Sequence, residues 1–154
     1  MGIDQGVLGV GNILLRDEGF GVFVVRYMEE KFKLPEGTRL LDGGTSGISL
    51  LDYVKGLNRL LIIDAIKEAG PPGTLVEFSS DEVELLAPSL RMSPHQVGIL
   101  DLLSILRFEG SAPKEIDFLC VVPKELSTGL GLSEELKALV PVAAKKAYEW
   151  ANHA

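Results

Sequence analysis

The sequence predicts an α/β fold: a mostly parallel five-stranded sheet covered on both faces by helices, with one strand antiparallel. Three observations carry this. Five short apolar runs are bounded by turn residues, as strands buried on both faces require. Stretches with apolar residues at helical spacing separate most of them, and strands alternating with helices imply parallel crossovers. One gap, Lys67 to Gly73, is too short for a crossover helix, so the strand after it is expected to run antiparallel.

Taken in order, the first strand is Val7–Val10, which ends in a glycine turn. Phe20, Val24, Tyr27, Met28 and Phe32 then recur at helical spacing. Thr38–Leu41 is the second strand, followed by a shorter helix over Ile48–Val54. The third strand, Arg59–Asp64, is apolar from Leu60 until its final residue, and Thr74–Phe78 is the antiparallel strand at an edge. A short helix is expected over Glu82–Leu86, and a longer one is marked by Ile99, Leu102, Leu103 and Leu106. Ile116–Val122 is the last strand; Leu136, Leu139, Val140, Ala143 and Ala147 mark the last helix. Pro141 falls inside that pattern, where it removes a donor and crowds the preceding turn, so a kink or a break into two helices is expected. No repeat, low-complexity tract or linker divides the chain, and residues 1–154 read as one domain.

Composition narrows the function classes. A chain of 154 residues buries roughly 70% of the surface of its unfolded form, enough for one core. Hydrophobic residues make up 46% and charged residues 24%, ordinary for a globular enzyme. Apolar stretches such as Leu60–Ile63 fall far short of the ~18 residues that span a bilayer, and no basic-then-apolar leader opens the chain, so a cytoplasmic protein without a membrane partner is expected. The formal charge of −7, with scattered Lys and Arg, would repel nucleic acid. The single cysteine, Cys120, lies in I-D-F-L-C-V-V. No internal disulfide is possible, and the run suggests a buried core thiol rather than an accessible nucleophile.

Chemistry points to the carboxyl edge of the sheet, where open α/β sheets bind ligands. Glu18 follows the first strand, just before the first helical pattern, and Asp64 closes the third strand. His95 stands in S-P-H-Q, where Ser93 and Gln96 form a capping box and Pro94 suits the first helical position. In a first helical turn the dipole disfavours imidazolium, and a neutral imidazole is what a metal requires. Two carboxylates and an imidazole delivered by different elements suit a borderline divalent metal. Each has a plainer reading as well: a helix-terminus acid, a cap for the next segment, a packed or surface histidine. Other signatures are missing. The Gly9 and Gly11 turn has Leu14 where a dinucleotide fingerprint needs its third glycine, and no phosphate loop, H-E-x-x-H or G-x-S-x-G occurs. Asp42, in D-G-G-T-S-G, does not match the aspartic protease D-[TS]-G pattern.

Five segments in order, G-V-G-N-I-L-L-R-D-E-G-F-G, L-L-D-G-G-T-S-G, L-L-I-I-D-A, S-P-H-Q-V-G-I-L-D-L-L and V-P-K-E-L, closely resemble the nickel-iron hydrogenase maturation endopeptidases. The resemblance runs from about Val7 to Trp150. It implies a three-layer α/β/α sandwich and an aspartyl-type endopeptidase that removes a C-terminal extension from the hydrogenase large subunit precursor after nickel insertion. It further implies that Glu18, Asp64 and His95 engage nickel, carried by the substrate rather than held permanently. The loop of Asp42, Gly43, Gly44 and Thr45 would contribute to substrate recognition, with Asp42 its main polar contact. No residue is an evident nucleophile. Two other classes share the same ligands: a zinc-dependent peptidase or amidohydrolase with its own metal, and a non-catalytic nickel-site chaperone.

Overall fold

The computed structural model describes residues 4–67, 70–82 and 94–153, with the side chains at 48 and 94–98 outside that description. Inside the sheet, one strand from its edge, is β1 (Gln5–Val10), all six of whose residues are buried. It pairs in parallel with β2 (Thr38–Gly44) on one side and β3 (Arg59–Ala65) on the other. β3 pairs in parallel with β5 (Glu115–Val121), and β4 (Leu75–Ser79) closes the order β2-β1-β3-β5-β4 as the antiparallel edge strand. The strand that lacked room for a crossover helix is therefore the antiparallel one. β2 runs on to Gly44, beyond the expected Leu41, because its register with β1 slips between Gly9 and Val10 and the Gly11 amide donates to the Gly44 carbonyl at 2.8 Å.

Strand alternation assigns side chains to two cores. On one face Leu8, Leu60, Ile62 and Phe118 meet α2 (Leu51–Val54) and α3 (Pro94–Glu109), through Val54, Leu102 and Leu106. On the other, Val7, Leu61, Ile63 and Leu119 meet α1 (Phe20–Lys31) and α4 (Glu134–Asn152), through Phe20, Val24, Leu136 and Ala144. The result is the three-layer sandwich. Part of the short helix expected over Ile48–Val54 is a 3₁₀ turn, Gly47–Leu50, leading into α2. The helix expected over Glu82–Leu86 lies, beyond Glu82, outside the described residues.

Of the kink or break expected at Pro141, the break into two helices does not occur. α4 is continuous from Glu134 to Asn152 with Pro141 inside it. Pro141 and Lys137 are both exposed, so the carbonyl left without its intrahelical donor lies where water reaches it. Val140, Ala143, Ala144 and Ala147 stay buried around it; tertiary packing of that stripe outweighs the single lost bond.

A polar cluster fastens the end of α4 to the amino edge of the sheet. Buried Gln5 donates to Thr38 Oγ1 at 2.8 Å and to the Ala151 carbonyl at 2.7 Å, and accepts from Arg59 at 2.6 Å. The Arg59 guanidinium bonds Glu115 at 2.7 Å and lies 4.0 Å over the Trp150 ring; Trp150 Nε1 donates to Asp117 at 2.9 Å. The bond from Arg59 holds the Glu115 carboxyl below the usual range, whereas burial pushes Asp117 up. A carboxyl whose folded pKa is raised favours folding when protonated and loses that contribution as pH rises through the folded value. Asp117→Asn keeps an acceptor for Trp150 and removes the ionised form. It is expected to leave stability unchanged in acid and raise it modestly at neutral pH, as followed by urea denaturation at several pH values.

Candidate active site at the carboxyl edge

β1 and β3 are neighbours whose connections leave in opposite directions, β1 towards β2 and β3 towards the β5 side, so the crevice at their carboxyl ends is the topological switch point. Glycines bring the start of α1 down onto it. Gly11 adopts φ +135°, and a β-carbon there would lie 1.8 Å from the Glu18 carbonyl oxygen. At Gly21, the second residue of α1, a β-carbon would lie 2.0 Å from the Ile63 oxygen and 2.7 Å from the Val10 oxygen. Only glycine permits such backbone contact. The 3₁₀ turn Arg16–Gly19 thereby packs against the end of β3.

That turn and that strand end carry the two carboxylates read from the sequence. Glu18 is half-buried, its amide donating to the Leu15 carbonyl at 3.2 Å. Asp64 is 4% exposed, and its Oδ1 accepts from the Ala65 amide at 2.7 Å. Alternation turns Asp64 to the face of Leu60 and Ile62, which α3 covers. The far end of α3 is tied to the amino edge by Lys55 and Glu109 at 3.7 Å, and the next strand begins there with Lys114 and Glu115 donating to the Asn58 carbonyl. Sixteen residues of helix reach ~24 Å, about the length of β3. The first turn of α3, which contains His95, thus returns to the carboxyl edge. The His95 side chain and Ser93 lie outside the described residues, and among those described no group of three His, Cys, Asp or Glu forms a metal cluster.

Asp17, beside Glu18, has a different setting. It is wholly buried. Its Oδ2 accepts from the amides of Lys124 at 3.0 Å and Glu125 at 2.7 Å and from Ser133 Oγ at 2.9 Å, while Oδ1 accepts from the Ser133 amide at 2.7 Å. The Asp17 amide donates to the Glu125 carbonyl at 3.0 Å, and Leu14 and Arg16 exchange backbone bonds with Gly129 at 2.9 and 3.2 Å. Arg16 adopts φ +47°, a strained conformation for a non-glycine residue. The loop between β5 and α4 is therefore laced to the turn before α1. Nothing local to Asp17 in the sequence marks this setting, since its partners lie more than 100 positions away.

The second glycine segment lines a neighbouring cleft of about 310 Å³, formed by Asn12, Leu14, Val22, Arg26, Asp42, Gly44 and Thr45 among others. Asp42 pairs with Arg26 at 3.3 Å, both groups about half exposed. Gly43 faces inward instead, where a β-carbon would meet the side chains of Leu8 and Leu50 at 2.8 and 2.9 Å. Asn12 holds the entrance by accepting from the Leu14 amide at 2.9 Å.

The hydrogenase maturation protease (HycI) family matches residues 22–150. The chain belongs to the hydrogenase maturation protease family. It is 40% identical to the hydrogenase 2 maturation protease of Escherichia coli over 141 residues, which is 91% of this chain and 85% of that one. The HoxM hydrogenase expression/formation protein of Azotobacter vinelandii is also 40% identical, over 94% of this chain and 70% of its own. In structure the maturation protease is similar to the hydrogenase maturating endopeptidase HybD of E. coli, with a TM-score of 0.91 at 38% identity over 97% and 93% of the two chains. HybD from Thermococcus kodakarensis gives a TM-score of 0.81 at 33% identity over 97% and 99%. The family is one of endopeptidases, so this chain is a hydrolase.

Cys120 sits across from Asp64 in the β3 and β5 pairing and is wholly buried. Burial pushes its thiol well up, and the nearby Asp64 adds to the effect. Such a thiol is a poor nucleophile. Cys120→Ala is expected to lower stability by about 1 to 2 kcal/mol and leave peptide cleavage intact, measured by thermal melts alongside precursor processing.

Proposed function

We propose that this protease removes the C-terminal extension of a nickel-iron hydrogenase large subunit precursor after nickel has been inserted, with Glu18, Asp64 and His95 engaging the nickel that the precursor carries. The observation that supports this most is the packing of the turn bearing Glu18 against the end of β3 that bears Asp64, at the switch point of the sheet and at the edge to which the first turn of α3 returns. Carboxylates and a neutral imidazole are acceptable nickel donors. Holding the metal of the substrate fixes the tail relative to the enzyme, and the same metal polarises the scissile carbonyl or a water. The cleft lined by Asp42, Gly44 and Thr45 then receives the extended tail, with the Arg26 and Asp42 pair at its wall. The lone buried cysteine fits a cytoplasmic enzyme, and no helix among the described residues is long and apolar enough to cross a membrane.

Intact-mass analysis of a large subunit precursor before and after incubation tests the reading. Loss of a defined C-terminal segment is expected; stable binding with unchanged mass would instead make the chain a chaperone. Metal analysis of the purified protein separates the remaining class, because stoichiometric zinc that survives dialysis and is required for cleavage would contradict a substrate-borne metal.

A further inference from the structure

We propose that Asp17 is a positioning residue for processing: its carboxylate fastens residues 124–133 to the turn that carries Glu18, and so sets where Glu18 meets the substrate. The inference rests on the assignment of Glu18 to the working site. Its ground is geometric. Both Asp17 oxygens are occupied, by three backbone amides and one hydroxyl of Lys124, Glu125 and Ser133. With the residue 0% exposed, neither oxygen is open to a substrate tail. The same turn is gripped again through the Asp17 amide and through the backbone exchange of Leu14 and Arg16 with Gly129. On its other side the Glu18 carbonyl is closed by Gly11. The backbone of Glu18 is thus fixed from two directions, while its side chain remains half-buried.

Stability alone is a poor reason for this arrangement, since a buried carboxylate is expensive to desolvate and apolar packing would join two loops as well. What the carboxylate adds is register. Four donors converging on two oxygens allow one placement of the loop, and Arg16 is held in a strained conformation beside it. The clamp also decides what the loop presents: Leu130, 73% exposed, follows Gly129 on the same strap that Leu14, 57% exposed, joins at the cleft. A loop freed from Asp17 would shift one wall of the site together with Glu18.

The test compares Asp17→Asn with Glu18→Ala and with a core variant, Val140→Ala, using nickel-loaded precursor and reading the processing rate at saturation separately from the half-saturating concentration. The asparagine keeps the shape but turns an NH₂ group towards amide donors. Its saturated rate is expected to fall about 10- to 100-fold, the range found when groups that orient ligands are removed, in protein that is folded by circular dichroism. Val140→Ala, at a temperature where both variants are folded, should keep the parent rate. Ser133→Ala removes only the hydroxyl donor and should lower the saturated rate a few-fold, so it serves where Asp17→Asn does not fold. A parent-like saturated rate for folded Asp17→Asn, or for Ser133→Ala where that variant stands in, with Glu18→Ala inactive, overturns the positioning role alone. An equal loss in Val140→Ala also overturns it, by reducing the effect to stability. Normal processing by Glu18→Ala would overturn instead the site assignment on which it rests.

Discussion

Glu18→Ala and Asp64→Ala are each expected to lower precursor processing about 100-fold or more while leaving the fold intact. The magnitude follows from positioning, because a reacting group displaced by 1 Å can lose about 100-fold in rate, and under the proposed function these substitutions delete a contact to the substrate rather than shift it. The fold should survive for different reasons at the two sites. Glu18 is half-buried on a turn whose backbone is held by Gly11, Asp17 and Leu15. Asp64 is almost fully buried, and replacing a buried carboxylate by a small apolar group recovers desolvation that offsets the lost bond to the Ala65 amide. Melting temperatures within about 5 °C of the parent are expected, since 1 kcal/mol corresponds to about 2 to 4 °C at this size. Full activity in either variant would remove that residue from the site.

The second large effect is structural. Gly21→Ala should destabilise the protein by about 3 kcal/mol or more and lower its melting temperature by roughly 6 to 12 °C. A β-carbon at Gly21 would lie 2.0 Å from the Ile63 oxygen and 2.7 Å from the Val10 oxygen. Both are backbone atoms of central strands and cannot move aside, so α1 would have to lift from the sheet and take Glu18 with it. Gly6→Ala is the control. Its β-carbon would meet the end of the Leu57 side chain at 2.9 Å, which can rotate away, so a much smaller loss is expected. Equal melting temperatures for the two variants would show that the start of α1 is not seated on the strands as described.

These glycines also show where sequence reading reaches its limit. The strands were legible because β1, β3 and β5 are buried on both faces, which forces continuous apolar runs. The antiparallel direction of β4 was legible from chain length alone. Asp64 stood out because a carboxylate closing an apolar strand needs a reason, and Glu18 because it lies between the first strand and the first helical pattern, where α/β sheets bind ligands. What Gly21 touches was not legible, since nothing local to it names Ile63 as its neighbour. Asp17 was hidden for the same cause, its four donors being supplied by a loop after the last strand. Pro141 shows the opposite case: a local rule predicted a kink or a break into two helices, and the helix stays unbroken because the buried stripe of Val140, Ala143 and Ala147 holds it.

Under the proposed function the enzyme recognises nickel carried by its substrate. One preparation of the protease given equal amounts of nickel-loaded and nickel-free large subunit precursor, both followed by intact mass, decides whether it does. Only the nickel-loaded form is expected to lose its C-terminal segment, and Glu18→Ala is expected to abolish this loss. Cleavage of both forms at the same rate would contradict it.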